Sequence, residues 1–264
     1  MPDDGRTILM LLLAAFAAGA MNAIAGGGTL LTFPALTTVL SLAGANATST
    51  IALLPGSVAG AWGYRSELSG AMPFLKIMLP PSFAGGLVGS LLVVAYPEDF
   101  GKLVPWLILT AAVLFLVQQP LNRWFKARLT IASSAPMGRG RTAGLVSFQF
   151  LTAVYGGYFG AGIGILMLTS LGFMNIGTIH RINAIKTVLA STINLVTVVV
   201  FLIADERAKV RLIDWRYAGI MAVAAIAGGY LGARIARRLP AIHVRSFIIV
   251  VAFGLAGYYF LVGG

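Results

Sequence analysis

Lys186, Thr187, Ser191 and Asn194 bring a charge and neutral hydrogen-bond donors together in an otherwise apolar stretch of the chain. Thr187, Ser191 and Asn194 follow one another at spacings of four and three, which places them on one face of a helix. Lys186 borders that face. A lysine and neutral donors together suit the oxygens of a sulfonyl or carboxyl group. An earlier stretch holds a comparable set, Asn46, Thr48, Ser49, Thr50 and Ser57, without a charge. Two glycine clusters precede these stretches: Gly26, Gly27 and Gly28, with Asn22 just before them, and Gly160, Gly162 and Gly164. Glycines at the start of a helix expose backbone N–H groups, and the partial positive charge there binds anions without a charged side chain.

Each feature has a plainer reading. Small residues let membrane helices pack closely, and hydroxyls and amides bond between helices. A lysine near a helix end can snorkel its ammonium to the headgroups. Position favours binding for the paired clusters, while Gly85-Gly86-x-x-Gly89 and its echo Gly228-Gly229-x-x-Gly232 read as packing. Lys186 leans towards function because Ser49 holds the matching place in the other stretch.

Other chemistry is missing. There is no cysteine, so no disulfide, thiolate metal site or cysteine nucleophile. The two histidines, His180 and His243, stand far apart with no metal-ligand partner at useful spacing. No Asp or Glu falls within an apolar run, which argues against a carboxylate proton relay or a carboxylate-bound sodium site. No nucleophile–base constellation is present either. The sequence therefore reads as a non-enzyme without cofactor or metal.

The elements that position these residues follow from composition. Charged residues are 10% of the 264 and hydrophobic residues 58%, with a mean hydropathy of +0.90. A soluble domain carries roughly 25% charge. Charge-free runs extend from Thr7 to Tyr64 and over 77–97, 103–122, 142–180, 187–204, 217–233 and 246–264. A bilayer core takes about 20 residues of helix. The runs divide into ten membrane-embedded segments near 7–24, 29–43, 46–63, 72–95, 99–118, 142–159, 163–176, 182–203, 217–234 and 246–262. Pro34 and Pro55 read as kinks, and Trp62, Tyr64, Trp106, Trp215, Tyr217, Tyr258 and Tyr259 as interface belts. The acidic leader MPDDGR lacks a basic signal-peptide start, so the first segment is expected to be retained.

The net charge of +11 sits in short loops, where it signals topology; a nucleic-acid partner is not expected. Most Lys and Arg fall on one side if both termini are outside, although the 204–216 loop then leaves four basic residues there. The polar, basic stretch 119–141 divides an N-terminal part, 1–118, from a C-terminal part, 142–264. The parts repeat one another. Asn46 and Asn183 are 137 positions apart, as are Thr50 and Thr187; the glycine clusters are separated by about the same distance. Five segments per part is an odd number, so the second repeat would enter the membrane inverted, as in many secondary transporters. The segments after the glycine clusters are too short to span, which suggests re-entrant hairpins or broken helices.

Asn22-Ala23-Ile24-Ala25-Gly26-Gly27-Gly28-Thr29, with Pro34-Ala35-Leu36, resembles the first signature of the sulfite exporter TauE/SafE family. Gly157-Tyr158-Phe159-Gly160-Ala161-Gly162-Ile163-Gly164 resembles its second, and Gly229-Tyr230-Leu231-Gly232-Ala233-Arg234 its near-C-terminal segment. The resemblance covers about residues 8–262. It implies a transporter of small anions, sulfite and organosulfonates among them, in a bacterial inner membrane, and it adds Asn22 to the candidate ligands. The expected fold is all-α: two inverted repeats of five segments in a lipid bilayer. The expected function is export of a small anion by alternating access. The expected binding residues are Asn22, Gly26, Gly27, Gly28, Thr48, Ser49, Thr50, Gly160, Gly162, Gly164, Lys186, Thr187, Ser191 and Asn194. An anion channel and a partner-binding subunit acting through 119–141 are the alternatives.

Overall fold

A computed structural model describes residues 5–24, 27–129, 138–174, 176–207, 211–235 and 241–262. Among these it is all helical. Ten α-helices follow in order: α1 (Gly5–Ile24), α2 (Thr29–Thr37), α3 (Leu42–Gly63), α4 (Met72–Ala95), α5 (Pro97–Leu129), α6 (Arg139–Tyr158), α7 (Ile163–Gly172), α8 (Ile179–Arg207), α9 (Trp215–Ile235) and α10 (Ala241–Val262). Each corresponds to one expected segment. Helix α5 extends well beyond its expected end at 118, into the basic stretch.

Among the described residues, four helical stretches are long and apolar enough to cross a membrane: Gly5–Asn22, Met72–Ala95, Pro97–Gln118 and His180–Arg207. Large apolar side chains also cover the outside, with Val223 70% and Leu261 87% exposed. In water such a surface would be an aggregation or docking face; in a bilayer it is the solvated one. The chain is a multi-pass membrane protein.

Helix ends follow the local chemistry. Pro97 opens α5, with Glu98 and Asp99 in its first turn, where acids complement the helix dipole. The Tyr217 N–H donates to Asp214 Oδ1 at 2.9 Å and thereby caps α9. Asp205, near the end of α8, accepts from the N–H groups of Leu212 (2.6 Å) and Ile213 (2.8 Å). Four acids expected in loops, Glu98, Asp99, Asp205 and Glu206, thus fall within terminal turns of α5 and α8.

Glycine decides how the longer helices meet. In α4, a methyl on Gly85 would stand 2.5 Å from the Phe150 carbonyl oxygen, and one on Gly89 2.8 Å from Tyr158 N. A methyl on Gly157 of α6 would strike the Gly86 backbone. Helices α4 and α6 therefore touch backbone to backbone, as small residues allow in membranes. Helices α1 and α9 meet in the same way: Gly19 lies against the Ala225 backbone, and Gly228 against that of Phe16. Of the glycines read as packing, Gly85, Gly89 and Gly228 lie at these backbone contacts.

The other contacts pair off too. Helix α3 packs on α9 as α8 packs on α4, α2 lies between α1 and α3 as α7 lies between α6 and α8, and α5 packs on α10. Two apolar clusters result. One gathers Phe33, Phe100, Phe115, Phe159 and Phe201; the other gathers Met78, Met167, Leu171, Ile185 and Ile193.

Candidate functional site

Helices α2 and α7 are nine and ten residues long, shorter than the expected 29–43 and 163–176. At about 1.5 Å per residue they rise only ~14–15 Å, half a hydrocarbon core. Each starts on glycine. Gly27 has φ 91°, Gly160 81° and Gly162 79°, a left-handed backbone that only glycine adopts without strain. Gly162 forms the N-cap of α7. Gly26 lies outside the described residues.

Both starts rest on one stretch of α5. A methyl on Gly27 would strike the Phe115 ring, and one on Gly162 would lie 3.5 Å from Leu114 Cδ1 and 3.8 Å from Ala111 Cα. The two glycine clusters thus converge on Ala111–Phe115, across 134 residues of chain. Edge-on aromatic contacts support the junction: Phe33 of α2 packs on Phe159, with ring centroids 5.2 Å apart, and Phe100 packs on Tyr158 at 5.3 Å. The Tyr155 hydroxyl donates to the Ala161 carbonyl at 2.8 Å, which fixes the glycine link from below.

The starts differ in what they leave free. The Gly28 N–H donates to Asn22 Oδ1 at 2.7 Å. Asn22 therefore occupies a backbone donor that an anion would otherwise use. At α7 the first bond is from Ile165 N to Gly162 O at 3.0 Å. The N–H groups of Ile163 and Gly164 have no acceptor among the described residues and, as first-turn donors, none within the helix.

Lys186 of α8 lies beside this open start. A methyl on Gly164 would be 3.5 Å from Lys186 Cδ and 3.9 Å from its Nζ, ordinary contact distances, so the lysine side chain lies along the first turn of α7. Lys186 is half-buried and has no ion-pair or hydrogen-bond partner among the described residues. The matching position, Ser49, is fully buried and satisfied: its Oγ is 2.6 Å from Thr32 Oγ1.

The remaining candidates fall into two groups. Thr50 and Thr187 turn their hydroxyls back onto the carbonyls of Asn46 and Asn183, each at 2.8 Å; each thereby occupies its own proton within its helix. Thr48 accepts the Asp214 N–H at 3.2 Å and ties α3 to the start of α9. Ser191 donates to the Ser57 carbonyl at 3.0 Å, and Asn194 Nδ2 to the Ser57 hydroxyl at 3.3 Å. These last two bonds join α8 to α3 at their crossing. The start of α8 meets the link that follows α3, where Gly70 lies beside Arg181, so the two helices run antiparallel. Ser49 and Lys186 then lie on opposite sides of the crossing, Ser49 eight residues from Ser57 and Lys186 five to eight from Ser191 and Asn194, or roughly 8–12 Å of helix rise. The structure brings Lys186, Gly162 and Gly164 together; Ser49 is not among them.

Sequence reasoning missed Thr32, which stands four residues after Gly28 and was findable at helical spacing. Asn46, named in the first donor set, follows the plainer reading of a bond between helices: it is buried, its Nδ2 donates to the Tyr158 carbonyl at 3.1 Å, and its Oδ1 has no partner among the described residues. Phe115 carries no local signal at all, since only the tertiary fold brings it to Gly27.

A family model described as sulfite exporter TauE/SafE matches residues 11–259. The chain is similar to a protein of Haemophilus influenzae described as a probable membrane transporter protein, 28% identical over 259 residues, covering 95% of this chain and 94% of the relative. It is also similar to the probable membrane transporter protein YfcA of Escherichia coli K12, 25% identical over 249 residues, covering 92% and 86%. No solved structure matches.

Proposed function

The chain belongs to the sulfite exporter TauE/SafE family, and from that premise we propose that it exports a small anion, sulfite or an organosulfonate, across a bacterial inner membrane. One observation carries the reading: an unpartnered lysine within a membrane helix lies against the open N-terminal turn of a half-length helix. An ionised side chain at such depth is expensive unless it serves a partner or a path. Here the free N–H groups of Ile163 and Gly164 add a second attraction of the same sign. Thr187 and Asn22 border the path, and the convergence of both glycine starts on Ala111–Phe115 supports a site between the two halves.

The pairing of α1 with α9 and of α6 with α4 supports two repeats of opposite insertion, and the distribution of Lys and Arg favours both termini outside. Ser57 and Asn194, which touch, are 137 positions apart, the repeat interval itself; a residue touching its own repeat mate would sit on the two-fold axis relating the halves. Alternating access then consists of one half, or its glycine hairpin, rocking against the other. An inside-negative potential favours anion exit by about 2.3 kcal/mol per charge per 100 mV, so export needs no coupling ion.

Liposomes loaded with sulfite, with efflux recorded under an imposed potential, test the proposal. We expect saturable efflux accelerated by external substrate. Lys186→Gln should reduce it about tenfold or more, the loss of one charge-assisted hydrogen bond of ~1.5–3 kcal/mol, with Lys186→Arg less affected. Efflux that never saturates would indicate a channel, and none above empty liposomes, with sulfite or organosulfonates, would refute export.

A further inference from the structure

Resting on that reading, we propose that the substrate class of this site is the singly charged anion, a hydrogen sulfite or a sulfonate with one acidic group, and that Asn22 enforces the limit. The asymmetry between the two half-helix starts carries the argument. At α7 a free ammonium meets two free N–H groups. At α2 the Gly28 N–H is held at 2.7 Å by Asn22 Oδ1, a neutral oxygen standing where an anionic oxygen would otherwise bind. Leu30, Leu31 and Thr32 send their N–H groups to Gly27 and Gly28 carbonyls, and the Ser49 hydroxyl is engaged by Thr32.

The charge available follows from these contacts. Lys186 supplies one full positive charge and the open end of α7 about half of one. Arg181, five residues earlier on α8, is committed to the Ile176 carbonyl at 3.3 Å. Ser49, the repeat mate of Lys186, brings no second cation. The cost of drawing an anion out of water rises with the square of its charge, whereas its attraction to one lysine rises only in proportion. A monoanion is matched by Lys186; a dianion keeps an unpaired charge in a low-dielectric interior.

Asn22 is the removable part of this limit. It is exposed, and Asn22→Ala would release the Gly28 N–H, one backbone donor at the start of α2. Asn22→Asp would keep the bond to Gly28 and add a negative charge beside it. Two sulfonates with the same carbon skeleton separate the cases: 2-hydroxyethanesulfonate bears one charge and sulfoacetate two. We expect wild-type protein in liposomes to transport the monoanion with at least tenfold higher kcat/KM. Asn22→Ala should narrow that ratio several-fold by improving sulfoacetate, and Asn22→Asp should weaken both. Thermal stabilisation of detergent-purified protein by each anion gives the same comparison without flux. Wild-type protein that takes sulfoacetate as well as the monoanion would overturn the charge limit while leaving export standing. An unchanged ratio in Asn22→Ala would overturn the role of Asn22. Neither flux nor stabilisation with either anion would overturn export, and the charge limit with it.

Discussion

Gly89→Ala and Gly254→Ala add the same methyl to the middle of a helix, and the structure gives them opposite signs. In α10, Gly254 has nothing within 4 Å of the new methyl. The substitution there only removes glycine's conformational freedom and should stabilise by about 0.5–1 kcal/mol. In α4 the methyl on Gly89 would strike the Val154 carbonyl and lie 2.8 Å from Tyr158 N and 3.0 Å from the Gly157 carbonyl carbon. All three are backbone of α6, so no side chain can swing aside. Ordinary contact begins near 3.4 Å, and one helix must move away by a large part of an ångström along a face packed over several turns. Overpacking of this kind costs roughly 1–3 kcal/mol. Offset by the propensity gain, Gly89→Ala should destabilise by about 0.5–2 kcal/mol. Reversible denaturation in mixed micelles reads both variants against wild type. Shifts of the same sign, or a neutral Gly89→Ala, would refute the close approach of α4 and α6.

Other expectations can be checked in turn. The cysteine-free sequence makes Ser57→Cys with Asn194→Cys a clean crosslinking pair; a disulfide should form, and efflux should persist because the contact lies on the axis of motion. Efflux blocked by oxidation and restored by reduction would show that this crossing opens instead. Asp205→Ala leaves two N–H groups without their acceptor and should destabilise by about 1–3 kcal/mol, whereas Asp205→Asn, which keeps a carbonyl oxygen, should lose less; equal losses in a denaturation series would contradict the proposed cap. Gly164→Ala should be tolerated, because its methyl meets Lys186 at ordinary contact distance, while Gly164→Leu should displace the lysine and cut efflux about as much as Lys186→Gln; equal activity in both glycine variants would separate Lys186 from the path.

Much of this fold was legible in the sequence because membrane helices announce themselves by the absence of charge. Ten segments were expected and the described residues hold ten α-helices, with packing glycines where Gly85, Gly89 and Gly228 suggested them. Helix ends were less legible: Asp205 and Glu206 lie within α8 because a terminal turn exposes its side chains to water and tolerates charge there. The site was legible only by residue type. Nothing local distinguishes Thr187, which spends its hydroxyl on its own helix, from Ser191, which reaches α3. Nor does spacing reveal that Ser49 and Lys186, equivalent in the repeat, lie on opposite sides of a helix crossing. Such facts depend on which helix is the neighbour, and α5 brings its Phe115 to Gly27 from 88 positions away.

The exchange of partners between the halves also bears on how the protein is made. The glycine face of α1 rests on α9, which begins about 190 residues later. At 5–20 residues per second, the first helix waits roughly 10–40 s in the bilayer before its principal neighbour has been synthesised. During that interval its backbone-deep groove at Gly19 is open to lipid or to other nascent helices. Because α4 waits for α6 in the same manner, neither half can complete its packing alone. Severing the chain between α5 and α6 should therefore yield fragments that are stable only when produced together.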